Sequence, residues 1–270
     1  MSATGKTLER VRHELKFRIC ETVSMEYLTP KMIRVKVTSP DLEGFKSLAY
    51  DDHVKLFFAT DGNELILPVS GPNGLQYPDH LPMPDARDYT PRYFDTKTNT
   101  LTLDFVVHGN GPAITWAREA KSGSKLGIGG LRASFVLSAD FDWYLLIGDE
   151  TALPAIGRQI EELPSGKKVI ALIEIADKSE RQNFQANADV DIHWLERDGR
   201  PTGETGLLID AVRALDMPVG DGYVFVAGEA SVSKNIRTHM TSERDHNPDW
   251  IKAAGYWHLG ESDIYDGHEH

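Results

Sequence analysis

The chain has 270 residues, which is enough for one large domain or two domains of ordinary size, each with a hydrophobic core. Its formal net charge of −12 argues against nucleic acid or an anionic membrane as the main partner. A single cysteine, Cys20, excludes an intramolecular disulfide and a cysteine-based metal site.

The N-terminal residues carry charges throughout and contain no apolar run of signal-peptide length. No stretch of the sequence approaches the roughly 18 apolar residues that a membrane-spanning helix needs. We therefore expect a cytoplasmic protein that does not contact a membrane, and the low cysteine content fits that reducing compartment.

In the first half of the chain, turn residues separate short stretches with strand character. Residues 1–16 are polar and predict a partly helical lead-in, and the pattern changes to strands from Phe17. Residues 31–37 alternate polar and apolar side chains, the period of a half-buried strand, and residues 52–58 do so less cleanly. Residues 63–85 are rich in proline and glycine and predict a long loop.

Two further strands, around residues 89–95 and over residues 101–107, bring this half to at least five short strands. A small antiparallel barrel is the natural arrangement for such strands. A helix is predicted over about residues 112–119, and a strand that ends in a tight turn over residues 126–132. The cluster of polar residues at 138–142 predicts the boundary between two domains.

In the second half, continuous apolar runs alternate with helical segments. The predicted strands cover residues 143–147, 168–175, 193–196 and 222–227, and the predicted helices cover residues 152–163, 206–215 and 231–244. Uniformly apolar strands that alternate with helices are typical of a parallel sheet covered on both faces. Ligands bind such sheets at the carboxyl ends of the strands, where residues 148–151 and 227–231 lie.

The stretch from residue 87 to residue 116 combines groups that suit one kind of ligand. It contains an aromatic ring (Tyr89), a hydroxyl (Thr90), two guanidinium groups and a glycine-rich turn that leads into a helix. Because helix N-termini bind anions, this set suits a ligand with both an aromatic ring system and phosphates. An ordinary β-hairpin followed by a capped helix explains the same residues, since Arg, Tyr and Gly are common in turns.

Two sequence blocks in this stretch carry a resemblance to a known family. They are Arg-Asp-Tyr-Thr at positions 87–90 and Asp-Phe-Val-Val-His-Gly-Asn-Gly-Pro-Ala-Ile-Thr-Trp-Ala at positions 104–117. Together they resemble the FAD-binding signature of the siderophore-interacting proteins, which are flavin-dependent ferric-siderophore reductases related to the ferredoxin–NADP reductases. The resemblance extends from about residue 17 to residue 260, with further similar blocks at residues 51–57, 148–156, 227–231 and 255–257.

The resemblance implies two domains. The first is an antiparallel β-barrel that binds FAD, over residues 17–138, and the second is an α/β domain with a parallel sheet, similar to an NAD(P)H-binding domain, over residues 139–270. The resemblance also implies that Arg87 neutralises phosphate, that the Tyr89 ring stacks on the flavin and that Thr90 hydrogen-bonds near flavin N5. The implied cofactor-binding residues are Arg87, Tyr89, Thr90, Asp104, Val106, His108, Gly111, Pro112, Ala113, Trp116, Glu150 and Thr151.

The family's substrate pocket has a few basic side chains beside the flavin, because ferric catecholates are strongly anionic. Lys55 and Arg132 match two of the family's basic positions. His258 stands where the family usually has a third basic residue, an arginine. A histidine at this position is expected to bind polyanions less tightly at neutral pH, and in a pH-dependent way.

The nucleotide half of the resemblance contains a departure. Asp149 and Glu150 are acidic at a position where a phosphate site prefers neutral or basic groups. Lys178, Arg181 and Arg197 are candidates to hold the 2′-phosphate of NADPH, although a solvated surface charge explains each of them better.

The resemblance therefore implies an FAD-dependent oxidoreductase that reduces ferric siderophores in the cytoplasm and releases Fe(II). NADPH, NADH and reduced ferredoxin are the candidate electron donors, and the reaction needs no catalytic side chain and no metal ligand from the protein. We expect a monomer that binds a ferric siderophore and, where it is the donor, ferredoxin. Two alternatives stay open: a ferredoxin-dependent flavin oxidoreductase for another Fe(III) acceptor, and a siderophore-binding flavoprotein without catalytic activity.

Overall fold

The computed structural model describes residues 6, 8–59, 64–71, 74–77, 84–138 and 140–260. The chain divides into two compact units, an N-terminal unit (Met1–Ser138) and a C-terminal unit (Ala139–His270). Within the described ranges, no helix is both long enough and apolar enough to cross a membrane.

Antiparallel strands build the N-terminal unit. Its elements are β1 (Leu8–Arg12), β2 (Phe17–Thr29), β3 (Met32–Thr38), β4 (Val54–Phe58), β5 (Val69–Gly71), β6 (Gly74–Gln76), β7 (Asp85–Tyr89), β8 (Tyr93–Asp95), β9 (Thr100–Val106), α1 (Pro112–Glu119), β10 (Lys125–Gly129) and β11 (Ala133–Leu137). Seven strands form a sheet in the order β7-β4-β10-β2-β3-β9-β8, while β1 pairs with β11 and β5 pairs with β6. Each of these described pairings is antiparallel.

One face of the seven-stranded sheet packs on a hydrophobic core. In β3 the side chains of Ile33, Val35 and Val37 are fully buried at alternate positions, as the strand period of two requires. Strands β2, β4, β9 and β10 contribute buried side chains to the same cluster, so the sheet curls around it. The predicted antiparallel barrel class is confirmed in this curled sheet.

The start of the chain differs from its prediction, because β1 is a strand and not part of a helical lead-in. It runs antiparallel to β11, with Val11 opposite Ser134 and Arg12 opposite Ala133. Most of its side chains are exposed, so the strand has no alternating apolar face that a sequence pattern could reveal. Backbone hydrogen bonds to β11 hold it in place. Residues 1–5 and 7 of the predicted lead-in lie outside the described residues, and so does part of the predicted loop at 63–85. The described part of that loop contains the hairpin β5–β6.

A parallel sheet builds the C-terminal unit. Its elements are β12 (Trp143–Gly148), α2 (Leu153–Glu162), β13 (Lys168–Ile175), β14 (Asp189–Glu196), α3 (Leu207–Ala214), β15 (Gly222–Glu229), α4 (Ala230–Ser242) and β16 (Ile251–Trp257). The five strands lie in the order β14-β13-β12-β15-β16, and every pairing is parallel. All residues of the central strands β12 and β15 are buried, which confirms the predicted α/β class.

Gly148 ends β12 and lies in close contact with neighbouring segments. A Cβ atom at this position would lie 2.5 Å from the Cβ atom of Ala152 and 2.6 Å from the carbonyl oxygen of Ala227. Because Ala152 and Ala227 are both buried, neither can move without disturbing the packing around the sheet. We expect Gly148→Ala to lower the free energy of unfolding of the C-terminal unit by about 2–3 kcal/mol. Urea unfolding measures this loss, and an unchanged midpoint would contradict the packing argument.

Candidate cofactor and substrate site

Two predicted flavin-binding residues of the first block, Arg87 and Tyr89, lie on β7, beside β4, and the third, Thr90, directly follows the strand. Arg87 pairs with Leu56 and Tyr89 pairs with Val54 across these two strands. The Tyr89 ring packs against Phe105 of β9, with 4.5 Å between the ring centroids. Thr90, the next residue, is buried. The strand thus places a guanidinium, an aromatic ring and a hydroxyl within four consecutive residues at one edge of the sheet.

Trp116 anchors helix α1 to the core of the same unit. Its ring packs against Phe105 and Phe58, with centroid distances of 5.7 Å and 5.9 Å. Its indole N–H donates a hydrogen bond to the Lys125 carbonyl oxygen at 3.0 Å. Trp116 and Tyr89 therefore contact the same phenylalanine, which brings the two predicted blocks together.

The turn before α1 leaves room for a ligand. Gly109 has a φ of +54°, and Gly111 is the N-cap of the helix, with no side-chain hydrogen bond to the first turn. Among the described residues, a Cβ atom at either glycine would meet nothing within 4 Å. Pro112, at the first helical position, has no N–H group. The N–H groups of Ala113 and Ile114 belong to the first turn and therefore point out of the helix end.

Asp104 is buried between two arginines. Its carboxylate accepts two hydrogen bonds from Arg34, both at 2.7 Å, and lies 3.9 Å from the guanidinium of Arg92. Val106 ends the same strand, and the N–H of His108 donates to the Val106 carbonyl oxygen at 3.1 Å. Asp104 therefore holds Arg34 in place across β3 and β9, which is a role that the sequence did not indicate.

The predicted substrate residues divide between the two units. Lys55, on β4, makes an ion pair with Asp88 of β7 at 2.8 Å. Arg132 lies between β10 and β11 and is exposed, and its carbonyl oxygen accepts a hydrogen bond from the His13 N–H at 2.9 Å. His258 follows β16 in the C-terminal unit and is also exposed.

In the C-terminal unit, Glu150 belongs to a buried ion-pair network. Arg197 donates to both oxygens of Glu150, at 2.8 and 2.5 Å, and lies 3.5 Å from Glu174. Thr205 donates to the other oxygen of Glu174 at 2.8 Å. Arg197 is buried and ion-paired, so its interpretation as a solvated surface charge is wrong. Its two partners lie near the ends of other strands, and they adjoin Arg197 only in the folded sheet.

Burial perturbs the acid–base properties of this network. Burial raises the pKa of the Glu174 carboxyl above its ordinary value, although Thr205 and Arg197 oppose the shift. Burial alone would lower the pKa of Arg197, but the hydrogen bonds and the charge of Glu150 raise it. Arg197 therefore stays charged.

The carboxylate of Asp149 closes the turn before α2. It accepts hydrogen bonds from the Thr151 N–H at 2.8 Å and from the Trp257 indole N–H at 2.8 Å. Burial raises the pKa of Asp149, against the effect of these hydrogen bonds. Thr151 also donates its hydroxyl to Asp149, so its side chain is already hydrogen-bonded within the unit.

Comparison with known proteins identifies the family. The family model of the siderophore-interacting FAD-binding domain matches residues 21–135, and the model of the siderophore-interacting protein matches residues 141–260. An NADPH-dependent ferric-chelate reductase of Escherichia coli is 33% identical over 263 residues, which cover 96% of this chain and 99% of that protein. The chain belongs to the siderophore-interacting protein family.

Further relatives agree in sequence, and solved structures agree in fold. A ferric vibriobactin reductase of Vibrio cholerae is 32% identical, with 91% of each chain covered. The crystal structure of a siderophore utilization protein from T. fusca superposes with a TM-score of 0.88 at 39% identity, covering 95% of this chain and 98% of that one. A ferredoxin reductase of carbazole 1,9a-dioxygenase has a TM-score of 0.64 at 15% identity, covering 90% and 70%, which confirms the ferredoxin reductase-like fold.

The residues of the N-terminal unit fit FAD. The site offers a ring held against Phe105 (Tyr89), a buried hydroxyl (Thr90), a guanidinium (Arg87) and an uncapped helix start with open space at Gly111. These groups match the ring system, the polar chain and the phosphates of the cofactor.

Proposed function

We propose that the chain is an FAD-dependent reductase of ferric siderophores, which releases Fe(II) for iron assimilation in the cytoplasm. The observation that carries the proposal is the match of more than nine-tenths of the chain, through both units, to relatives named as ferric-chelate and ferric vibriobactin reductases. The residues of the N-terminal unit that fit FAD, namely the Tyr89 ring against Phe105 and the uncapped start of α1, support the proposal. We further propose that the protein acts as a monomer.

Bound FAD would supply the electron transfer, two electrons at a time from a donor and one at a time to Fe(III), which is chemistry that amino-acid side chains do not supply. The protein's part is to bind and orient. We propose that Arg87 and the N–H groups at the start of α1 hold the phosphates. The Tyr89 ring packs against the Phe105 ring, and this contact holds it in place to stack on the flavin. Thr90 offers its hydroxyl beside that ring.

Positive charge near the flavin would attract an anionic ferric siderophore. Arg132 is exposed, and we propose that it makes the main electrostatic contact. Lys55 contributes less, because Asp88 at 2.8 Å already neutralises much of its charge. The iron stays coordinated by the siderophore while it is reduced, so the protein needs no metal ligand of its own.

The substrate proposal predicts a charge-dependent effect for Arg132→Ala. We expect KM for an anionic ferric catecholate to rise about tenfold, because one exposed charge contact is lost. KM for a neutral ferric hydroxamate is expected to change less than twofold, as is the bound flavin content. Steady-state kinetics with both substrates measure the difference, and an equal change in both KM values would contradict a charge contact.

A spectrum of the purified protein tests the proposed function. The two visible bands of oxidised flavin should be present, or should appear after reconstitution with FAD. Under anaerobic conditions a reductant should bleach them, and ferric siderophore should restore them while Fe(II) appears in a chelator assay. A reduced protein that is not reoxidised by ferric siderophore would leave only a flavin-containing siderophore-binding protein.

A second candidate is a flavin oxidoreductase that receives its electrons from ferredoxin. The observation that favours it is the loop after β12, where the buried Asp149 side chain already accepts the Thr151 N–H that a nucleotide's phosphate would use. Stopped-flow reduction with reduced ferredoxin and with each nicotinamide nucleotide separates the two candidates.

A further inference from the structure

A buried chain of hydrogen bonds lies next to the segment that carries Arg132. The Ser134 side chain is fully buried, and its hydroxyl oxygen lies 2.7 Å from Oδ2 of Asp52, which is also buried. The ring nitrogen Nε2 of His13 lies 2.8 Å from the same hydroxyl oxygen. Ser134 belongs to β11, Asp52 comes shortly before β4, and His13 directly follows β1. The chain therefore joins three parts of the N-terminal unit that are far apart in the sequence.

The direction of each hydrogen bond follows from the groups involved. As a carboxylate, Asp52 only accepts hydrogen bonds, so Ser134 uses its single hydroxyl proton to donate to it. The His13 ring must then donate from Nε2, because the serine oxygen has only acceptor positions left. Asp52 Oδ2 also accepts from the Ser47 hydroxyl and the Ala49 N–H, both at 3.0 Å. The Ser134 hydroxyl is thus the one group that links His13 to Asp52 in this chain.

The segment between β10 and β11 is held at three alternate residues, and Arg132 is the middle one. The Gly130 carbonyl oxygen accepts a hydrogen bond from the buried Arg18 guanidinium at 2.6 Å. The Arg132 carbonyl oxygen accepts the His13 N–H at 2.9 Å, and Ser134 is held through its hydroxyl. The Arg132 side chain is exposed. The backbone that carries this guanidinium is therefore fixed, while the guanidinium itself is accessible to a ligand.

The same chain connects Arg132 to the strand that carries Lys55. Asp52 precedes Lys55 by three residues. Strand β4 pairs with β10, where Gly129 lies opposite Lys55, and on its other side it pairs with β7, which carries part of the first flavin block. The hydrogen bond from Ser134 to Asp52 therefore ties the Arg132 segment to the strand beside the proposed flavin site.

We propose that Ser134 is a positioning residue for substrate binding, which holds Arg132 in place through its hydrogen bonds with Asp52 and His13. The inference rests on the proposed function and deepens it, because it names what aims the main charge contact at the substrate. Binding is weaker when it must first order the group that makes the contact. Without the Ser134 hydroxyl, the Arg132 segment loses its side-chain link to Asp52, so anionic ferric complexes should bind less tightly.

Ser134→Ala tests this role through the charge of the substrate. The probes are iron(III) tris(catecholate), which is anionic, and a neutral ferric trihydroxamate, each used to reoxidise stoichiometrically reduced enzyme without oxygen. We expect the half-saturating concentration to rise about fivefold for the catecholate and to change less than about twofold for the hydroxamate. The maximum reoxidation rate and the bound flavin content should stay within about twofold of wild type. An equal change with both complexes, or loss of bound flavin, would indicate a general structural role and overturn the proposal.

A double variant shows whether Ser134 acts through Arg132. Arg132→Ala alone should raise the half-saturating concentration of the catecholate about tenfold. If Ser134 acts by positioning this guanidinium, Arg132→Ala/Ser134→Ala should also show a rise of about tenfold, because nothing remains to be positioned. Independent effects would multiply to about fiftyfold, and that result would contradict a role through Arg132.

Two His13 variants test the same chain at a partly exposed residue, and they apply even if Ser134→Ala fails to fold. His13→Gln keeps an N–H donor near the position of Nε2, whereas His13→Leu removes it at similar size. We expect the half-saturating concentration of the catecholate to rise about threefold in His13→Leu and less than about twofold in His13→Gln. Equal values in the two variants would count against the hydrogen-bond chain.

Thr38→Val is the matched control for a lost hydroxyl. It removes another hydrogen bond of the same unit, from the Thr38 hydroxyl to the Asn99 carbonyl oxygen at 2.9 Å. Thr38 ends β3 and takes no part in the Ser134 chain, so both half-saturating concentrations should stay within about twofold of wild type. A charge-dependent rise in Thr38→Val as large as that in Ser134→Ala would overturn the assignment to Ser134.

The wild-type reaction separates this inference from the proposed function. If neither ferric complex reoxidises the reduced wild-type enzyme, the proposed function fails. If both do, and Arg132→Ala shows the charge-dependent effect while Ser134→Ala and His13→Leu do not, only the positioning role fails. If Arg132→Ala itself lacks that effect, the charge contact and the positioning role fail together, and the reductase function stands.

Discussion

Replacement of Arg197 by methionine is expected to lower the free energy of unfolding of the C-terminal unit by roughly 3–5 kcal/mol. The substitution leaves the carboxylates of Glu150 and Glu174 buried without their cation, and both residues are more than nine-tenths buried. Methionine retains most of the side-chain volume, so the loss reports the unpaired charges and not a cavity. Urea unfolding followed by tryptophan fluorescence measures it, because four of the five tryptophans lie in this unit.

The Arg197→Met deficit should depend on pH with a defined sign. A carboxyl whose pKa is raised in the folded state, as that of Glu174 is, stabilises the fold below its unfolded pKa and loses that contribution as pH rises through the folded value. Removal of Arg197 raises the folded pKa further, so the deficit should be larger at about pH 8 than at about pH 5. A deficit that is constant with pH would contradict the charge argument.

Arg181→Met is the matched control for this prediction. Arg181 also makes an ion pair with a glutamate, Glu196, at 2.6 Å, but its side chain is half exposed. Exposed pairs contribute about 0–1 kcal/mol, so this variant should unfold close to wild type at every pH. An equal loss in the two arginine variants would show that burial is not the source of the effect.

The C-terminal sheet was predictable because its central strands are buried on both faces and are therefore continuously apolar. Strand β12 reads Trp-Tyr-Leu-Leu-Ile-Gly, and every residue in it is buried. Strand β16 was missed, since its sequence Ile-Lys-Ala-Ala-Gly-Tyr-Trp has neither a continuous run nor a clean alternation. Its place at the sheet edge depends on backbone pairing with β15, and only the assembled sheet supplies that partner.

In the N-terminal unit, too, the sequence pattern predicts some strands and not others. Strand β3 has the alternation of apolar and polar residues that predicts a strand, whereas no side chain of β1 is buried and its polar sequence predicts a helical lead-in instead. Strand β2 is 13 residues long and shifts register twice against β3. Each shift breaks the alternation that a sequence pattern relies on, so its length could not be read from periodicity.

The candidate site shows which interactions a sequence conceals. The local block around Tyr89 was visible, because its chemistry is contained in neighbouring residues. The pairs Arg34–Asp104 and Arg197–Glu150 join residues 70 and 47 positions apart, and no local pattern indicates which charges will meet. Buried charges must be paired, so such contacts follow from the fold and cannot be inferred before it.

Arg87→Ala is expected to raise the dissociation constant of FAD by about 50-fold, equivalent to about 2–3 kcal/mol, through loss of a charge-assisted contact to phosphate. The alternative role of Arg87, as an ordinary turn residue, predicts no such effect. Arg87→Lys should give a smaller increase, because lysine keeps the charge but loses the two-pronged geometry of the guanidinium. Titration of the apoprotein with FAD, followed by flavin fluorescence, measures all three affinities.

Arg10→Ala provides the comparison, because Arg10 is an exposed arginine on β1 of the same unit. We expect its FAD affinity to stay within about twofold of wild type. That result would exclude a general loss of positive charge as the cause of the Arg87→Ala effect. Thermal unfolding of the apoproteins shows whether each variant is folded. If folded Arg87→Ala binds FAD as tightly as the wild-type protein does, Arg87 does not hold the phosphates, and the first block of the proposed cofactor site is structural.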